Sequence, residues 1–258
     1  MHRRELIAGL ALSALASQAQ TKASNTFLEL KIWRLHNSAE NQSARLADYL
    51  EGGLSPALTR SGAALIGAFS NVIGQDGPYY VSLAQYPSLG VFQESVEHLS
   101  SDAAHLAELR KLSAGAAFPF VRVESSLLRS FDAFPAAALP DKDEKRAPRI
   151  FEMRTYESQS YYTLTRKVGM FNNGESQIFQ RLKMRPVFFG ETIVGPRQPN
   201  LTYMLSYDDL ASRDKLWHDF GSDPEWKALV AHPELKDPEI VANISNVILS
   251  PLKFSPIR

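Results

Sequence analysis

Leu28-Glu29-Leu30-Lys31-Ile32-Trp33 and Phe151-Glu152-Met153-Arg154-Thr155-Tyr156 are one alternating pattern written twice, 123 residues apart. Gly67 and Gly190 share that offset. Tyr86-Pro87-Ser88-Leu89 pairs with Tyr207-Asp208-Asp209-Leu210, and Ser101-Asp102 with Ser222-Asp223, at an offset of 121. Ordered matches with a single two-residue change mark a tandem repeat. A longer first hairpin between Gly67 and Tyr86 is expected to absorb the change. Any fold open to this chain is therefore built from two similar halves.

Each copy reads β-α-β-β-α-β. In the second, Ile150 to Glu157 alternates apolar and polar, as a half-buried strand does. Tyr161, Leu164, Val168 and Phe171, then Ile178, Phe179 and Leu182, recur at helical spacing, and Asn172-Asn173-Gly174 splits that helix. Val187–Val194 and Leu201–Tyr207 read as strands joined by a Gly- and Pro-rich turn. Asp208 or Asp209 caps a helix to about Phe220, Pro224 restarts one, and Val241–Leu249 closes the unit. This is the ferredoxin-like split βαβ order, with one sheet face left bare. The expected fold is α+β: tandem ferredoxin-like domains over residues 26–131 and 149–254, joined by a linker at 132–148, closing on each other as an intrachain pseudo-dimeric α+β barrel.

Composition narrows function by exclusion. Lys+Arg and Asp+Glu number 28 each, so nothing supplies the basic surface that drives nucleic-acid binding. The absence of cysteine removes disulfides, thiolate metal sites and thiol nucleophiles. His2-Arg3-Arg4 followed by an apolar run to about Ala19 reads as a signal peptide over residues 1–20. The run is too short for a stable membrane span. The paired arginines allow either a twin-arginine or an ordinary secretory route, so the mature protein is expected in the periplasm or outside the cell.

At this point the residues resemble the NIPSNAP family. The matching pieces are Phe151-Glu152-Met153-Arg154-Thr155-Tyr156, Met184-Arg185-Pro186-Val187, Tyr207-x-x-Leu210-Ala211-x-Arg213-Asp214 and Asp223-Pro224-Glu225-Trp226. The run Pro196-Arg197-Gln198-Pro199-Asn200-Leu201-Thr202-Tyr203 also looks like that of two-domain bacterial members. The first copy departs, with Ala103-Ala104-His105 where Pro224-Glu225-Trp226 would fall, and with Lys31 and Trp33 for Arg and Tyr. The resemblance implies a dimeric α+β barrel and no particular reaction. The wider fold includes haem-degrading oxygenases, cofactor-free monooxygenases and isomerases.

Strand alternation divides the candidate site residues. Phe151, Met153 and Thr155 share one face; Glu152, Arg154 and Tyr156 share the other. In the first copy Glu29, Lys31 and Trp33 take the polar face. The apolar faces are expected to meet the helices, and the polar faces to line a pocket inside the barrel. There Arg154 would anchor an anionic or carbonyl group, with Tyr156 or Glu152 handling protons. The competing account is a Glu–Arg and Glu–Lys network that fixes how the sheets dock. A second cluster gathers Asn172, Glu175, Glu191, Arg197, Asn200, Tyr203, Asn243 and Asn246. Glu191, beside Phe189 and Gly190, either meets a cation or joins the site. Asn243 and Asn246 fall on opposite strand faces, and edge hydrogen bonding with loop capping is the competing account. His98 and His105 complete no metal set, Trp217 and Trp226 read as packing aromatics, and His36 is the one candidate haem ligand, so no metal site is expected. Three functions follow: small-molecule binding in the barrel, an oxygenase-like enzyme with haem or no cofactor, and an interaction module that assembles with other copies.

Overall fold

The computed structural model describes residues 24–37, 40–114, 118–139 and 148–258. The signal peptide expected at 1–20 and the central part of the linker lie outside the described residues. The first half runs β1 (Phe27–Arg34), α1 (Gln42–Tyr49), α2 (Ser55–Arg60), β2 (Ala64–Ile73), β3 (Tyr79–Tyr86), α3 (Leu89–Ser101), α4 (Ala103–Ser113) and β4 (Arg122–Ser130). The second repeats it as β5 (Ile150–Glu157), α5 (Tyr161–Met170), α6 (Ser176–Arg181), β6 (Pro186–Val194), β7 (Asn200–Tyr207), α7 (Leu210–Ser222), α8 (Pro224–Ala231) and β8 (Asn243–Pro251). Single π-type turns at Leu50–Leu54 and Phe171–Glu175 join the paired helices, so Asn172-Asn173-Gly174 does split its helix. Asp209 caps α7 through the Ser212 N–H, and Asp223 caps α8 with Pro224 in its first turn.

Each half forms an antiparallel sheet, ordered β4-β1-β3-β2 and β8-β5-β7-β6. Edge strands then pair across the halves, β2 with β8 and β4 with β6, closing one eight-stranded barrel. Leu30, Phe69, Val81, Leu128, Met153, Phe188, Met204 and Leu249, one from each strand, pack into a single apolar cluster with no helix residue in it. That cluster is the barrel interior, and the rings of Phe69 and Phe151 meet there with centroids 5.0 Å apart. Eight strands leave just enough room for side chains to fill.

The fold thus inverts the expected faces. The apolar face of each first strand points into the barrel, and Glu152, Arg154 and Tyr156 point outward beneath the helices, as do Glu29, Lys31 and Trp33. The reason is solvent access. A closed interior is walled by backbone on every side and offers a charge no route to water. The outer layer lies under amphipathic helices that supply partners and leave margins for long charged side chains to reach solvent.

The repeat register also needs correction. Beyond the first helix every element matches at 121, including the two π-type turns and the two five-residue hairpins at 74–78 and 195–199. Asp76 (φ 56°) and Arg197 (φ 57°) take the same left-handed position in those hairpins, and each hairpin ends in a cis-proline, Pro78 or Pro199. The extra residues of the first half lie between β1 and α1, not in the hairpin. Gly67 therefore corresponds to Phe188, each just past a bulge after Leu65 or Pro186. A Cβ on Gly67 would stand 2.5 Å from the Phe69 ring, whereas one on Gly190 would press on Leu128. The two glycines answer different local crowding.

The segments that follow β4 and β8 both fold over one barrel end, where β2 and β6 begin. The Ala138 N–H donates to the Val187 carbonyl at 2.8 Å and the Ile257 N–H to the Ile66 carbonyl at 3.1 Å. The start of the expected linker is thus docked. Phe151→Ala should remove about 3–5 kcal/mol from the unfolding free energy. Chemical denaturation should then show both halves unfolding in one earlier transition, since the ring seals an interior they share.

Candidate functional site

On the outer face of β5, Glu152 is fully buried. Its Oε1 accepts from Arg213 Nη2 (2.6 Å), Arg154 Nη1 (3.0 Å) and Asn246 Nδ2 (3.1 Å). Its Oε2 accepts from Trp217 Nε1 (2.7 Å) and Tyr207 OH (3.4 Å). Arg213 and Trp217 are four apart on α7 and so share the face turned to the sheet. Asn246 stands on β8 in register with Arg154. Burial alone would raise the Glu152 pKa, but the Arg213 hydrogen bond, the Arg154 charge and the bonds from Trp217 and Asn246 outweigh it, so the pKa lies below the ordinary 4.5. A carboxylate has about four lone-pair sites, and here five donors fill them. These donors hold Glu152 as an anion.

Arg154 stacks over Trp217, its guanidinium carbon 4.5 Å from the ring centroid, and its Nε donates to Tyr156 OH at 3.3 Å. Tyr156 OH and Tyr203 OH are 2.8 Å apart. Burial pushes the Tyr203 phenol far above its usual range, so it stays neutral as a donor.

Next to Tyr156 lies a buried ion pair. Lys167 on α5 places Nζ 3.1 Å from Glu175 Oε2, with the two side chains 0% and 2% exposed. Three rings surround that ammonium: Phe171 at 5.2 Å, Tyr156 at 5.5 Å and Trp226 at 5.6 Å. Trp226 belongs to α8, none of whose residues is buried.

The first half repeats only part of this arrangement. Glu29 meets Lys31 at 3.0 Å, accepts from Tyr86 OH at 3.0 Å and from Ser125 at 3.2 Å. The carboxylate, its cation and its tyrosine therefore belong to the architecture of both halves. At an offset of 121, however, Lys167 and Glu175 correspond to Leu46 and Leu54, Arg213 to Phe92, Trp217 to Val96, Tyr203 to Ser82 and Trp226 to His105. His105 is itself buried against Tyr49, whose hydroxyl lies 2.9 Å from its Nε2.

Of the residues expected to line one pocket, the structure brings together Glu152, Arg154 and Tyr156. Glu29, Lys31 and Trp33 lie on β1, four strands away around the barrel in either direction, and Trp33 donates to Ser82 at 2.8 Å in the first-half core. Glu191 meets Arg129 at 3.7 Å across the β4–β6 seam. Asn243 donates to Glu157 at 3.0 Å, away from the cluster. Asn200 ties the hairpin through the Pro196 and Arg197 carbonyls. His36 is exposed beyond β1. Among the described residues no group of three or more His, Asp or Glu is placed to hold a metal ion. No described helix is long and apolar enough to cross a membrane. Sequence reasoning overlooked Lys167, Arg213 and Trp217 as members of this cluster. The signal for Lys167 was its place between Leu164 and Phe171 on the apolar helix stripe.

A family model described as NIPSNAP matches residues 151–256. Over nearly its whole length the chain superposes on a protein of Lactobacillus acidophilus NCFM provisionally named a monooxygenase, at 12% identity and a TM-score of 0.58, covering 88% of this chain and 94% of that one. A second provisional monooxygenase, from Fusobacterium nucleatum, gives 12% identity and 0.55, covering 89% and 94%. A NIPSNAP family protein of Agrobacterium tumefaciens C58 aligns at 22% identity over 46% of this chain and 100% of its own, with a TM-score of 0.40. None of the curated proteins matches the chain.

Two substitution sets test the cluster. Glu152→Gln should destabilise by about 3–5 kcal/mol, because it leaves guanidinium groups buried without their anion. A depressed carboxyl pKa contributes stability that is complete above the unfolded value near 4.5 and is lost as pH falls through the folded value. The variant's stability should therefore fall less steeply than the wild type's below about pH 4.5, as urea titrations across pH would read. Lys167→Leu or Glu175→Leu alone should cost about 3–5 kcal/mol, whereas the double variant, which copies Leu46 and Leu54, should be as stable as the wild type or up to about 4 kcal/mol more so.

Proposed function

A NIPSNAP family model matches the second half of the chain, and from that match we propose that the protein binds a small molecule there, with the first half as scaffold. The site is the layer between the β5–β7 sheet and helices α5 to α8, not the packed barrel interior. One observation carries the reading: Lys167 and Glu175 stand where the same fold, in the same chain, uses Leu46 and Leu54. A buried ion pair stabilises no better than apolar residues of similar volume and often less well. Retaining it in one half alone supports a role beyond folding.

The surroundings suit a flat aromatic or conjugated molecule bearing an acidic or carbonyl oxygen. Phe171, Tyr156 and Trp226 provide ring faces, while Lys167 and the Tyr156–Tyr203 phenols provide donors. Uptake requires Trp226 to leave Lys167, which the shallow seating of α8 favours. The monooxygenase names of the two full-length structural relatives favour a second reading, in which the molecule bound in this layer is then oxidised by dioxygen. Export remains part of the proposal, resting on the N-terminal sequence.

Native mass spectrometry of the protein from its own cell fraction tests these points together. The wild type should carry an added small mass and a chain shortened by about 20 residues, as a cleaved signal would leave. Lys167→Leu/Glu175→Leu should fold and lose the added mass. A ligand retained by that double variant would sink the site. Dioxygen uptake that begins only when the ligand is added would favour the oxidising reading over simple binding.

A further inference from the structure

At the barrel end where the two docked segments meet, a cavity of about 100 Å3 remains between them. Its floor is apolar, made by Phe151 and Val187 of the interior cluster and by Ile257. Its rim carries three arginines: Arg149 and Arg185, which share Asp208 as a partner, and Arg258, whose Nη1 donates to the Lys253 carbonyl at 3.0 Å. From this combination we infer that the barrel end binds a small monocarboxylic acid, its carboxylate on the arginine rim and its short carbon chain on the floor.

The rim geometry supports that orientation. Asp208 lies 2.6 Å from Arg185 Nη1 and 3.8 Å from Arg149 Nε, so the two guanidiniums already converge on a carboxylate. Asp208 is 58% exposed, whereas the Arg149 side chain is only 12% exposed and reaches inward. Arg185 takes a left-handed backbone (φ 48°) that residues with a side chain rarely adopt. It is held there by the Ser206 N–H, which donates to the Arg185 carbonyl at 3.1 Å. Strained positions of this kind gather at ligand clamps.

The first half again acts as a reference. Arg149 corresponds to Thr26, Arg185 to Ala64 and Ser206 to Gln85. At that place the Gln85 side chain accepts from the Ala137 N–H at 2.9 Å, so the corner is closed by the protein's own groups. Forming the barrel therefore does not require the arginines. At about 100 Å3 the cavity is well below the roughly 300 Å3 or more of a drug-sized pocket, so only a short-chain acid suits it.

Isothermal titration of the full chain with acetate, propionate and butyrate at constant ionic strength tests the inference. Each methylene buried on the floor is worth about 0.8 kcal/mol, or roughly fourfold in Kd, so affinity should climb stepwise and level off near butyrate. Arg149→Thr and Arg185→Ala, which copy the first half, should each weaken butyrate tenfold or more while melting like the wild type in chloride. Lys167→Leu/Glu175→Leu should bind butyrate unchanged, which separates this site from the layer under α8. Inorganic phosphate binding as tightly as butyrate would overturn the assignment, since phosphate makes no use of the floor. So would equal affinity for all three acids, or wild-type binding by both arginine variants.

Discussion

Closure of the barrel is the constraint on which the other features rest. A four-stranded sheet with helices on one side has a bare apolar face and two edges with unpaired backbone groups, and both are liabilities in water. Pairing β2 with β8 and β4 with β6 removes both at once, because every edge strand gains a neighbour and the two bare faces become one interior. Once that interior is sealed, charge has no place in it. Polar strand residues are driven to the outer layer, where Glu152 and Glu29 find cations on their own strands two residues away.

The outer layer is where the halves part company. Both keep the carboxylate, its cation and a tyrosine, and both tie the second helix of the first pair to the cap of the last helix, through Arg60 with Asp102 and Arg181 with Asp223. Those shared contacts are sufficient to dock helices on a sheet. Beyond them the first half fills its layer with leucine and the buried His105–Tyr49 contact, while the second installs Lys167, Glu175, Arg213 and Trp217. A duplicated chain thus provides its own comparison. What both copies contain is needed to fold, and what one contains is open to another use.

The order of elements was legible in the sequence because local chemistry writes it. Alternation in Ile150–Glu157, the Asp209 and Asp223 caps and the Asn172-Asn173-Gly174 break all act within a few residues. Alternation says which residues share a face, but it does not say which side of a sheet is the driest. That depends on closure between strands far apart in sequence, and so alternation alone assigns the faces in reverse. The match of Gly67 with Gly190 misled for a related reason: each glycine relieves a contact with a particular side chain, Phe69 or Leu128, that the repeat does not share. A shared glycine thus points to the wrong register before β2, and only the true offset of 121 sets Lys167 beside Leu46.

The placement of the two docked segments has a consequence for connectivity. In each half the first and second strands begin, and the third and fourth end, at the same barrel end, so the exit of β8 lies on the side where β1 enters and the passage from β4 to β5 is made. The barrel is thus indifferent to which junction is covalent. A circularly permuted chain, opened between the halves and sealed from its tail to its head, would thread the same eight strands in the same cyclic order.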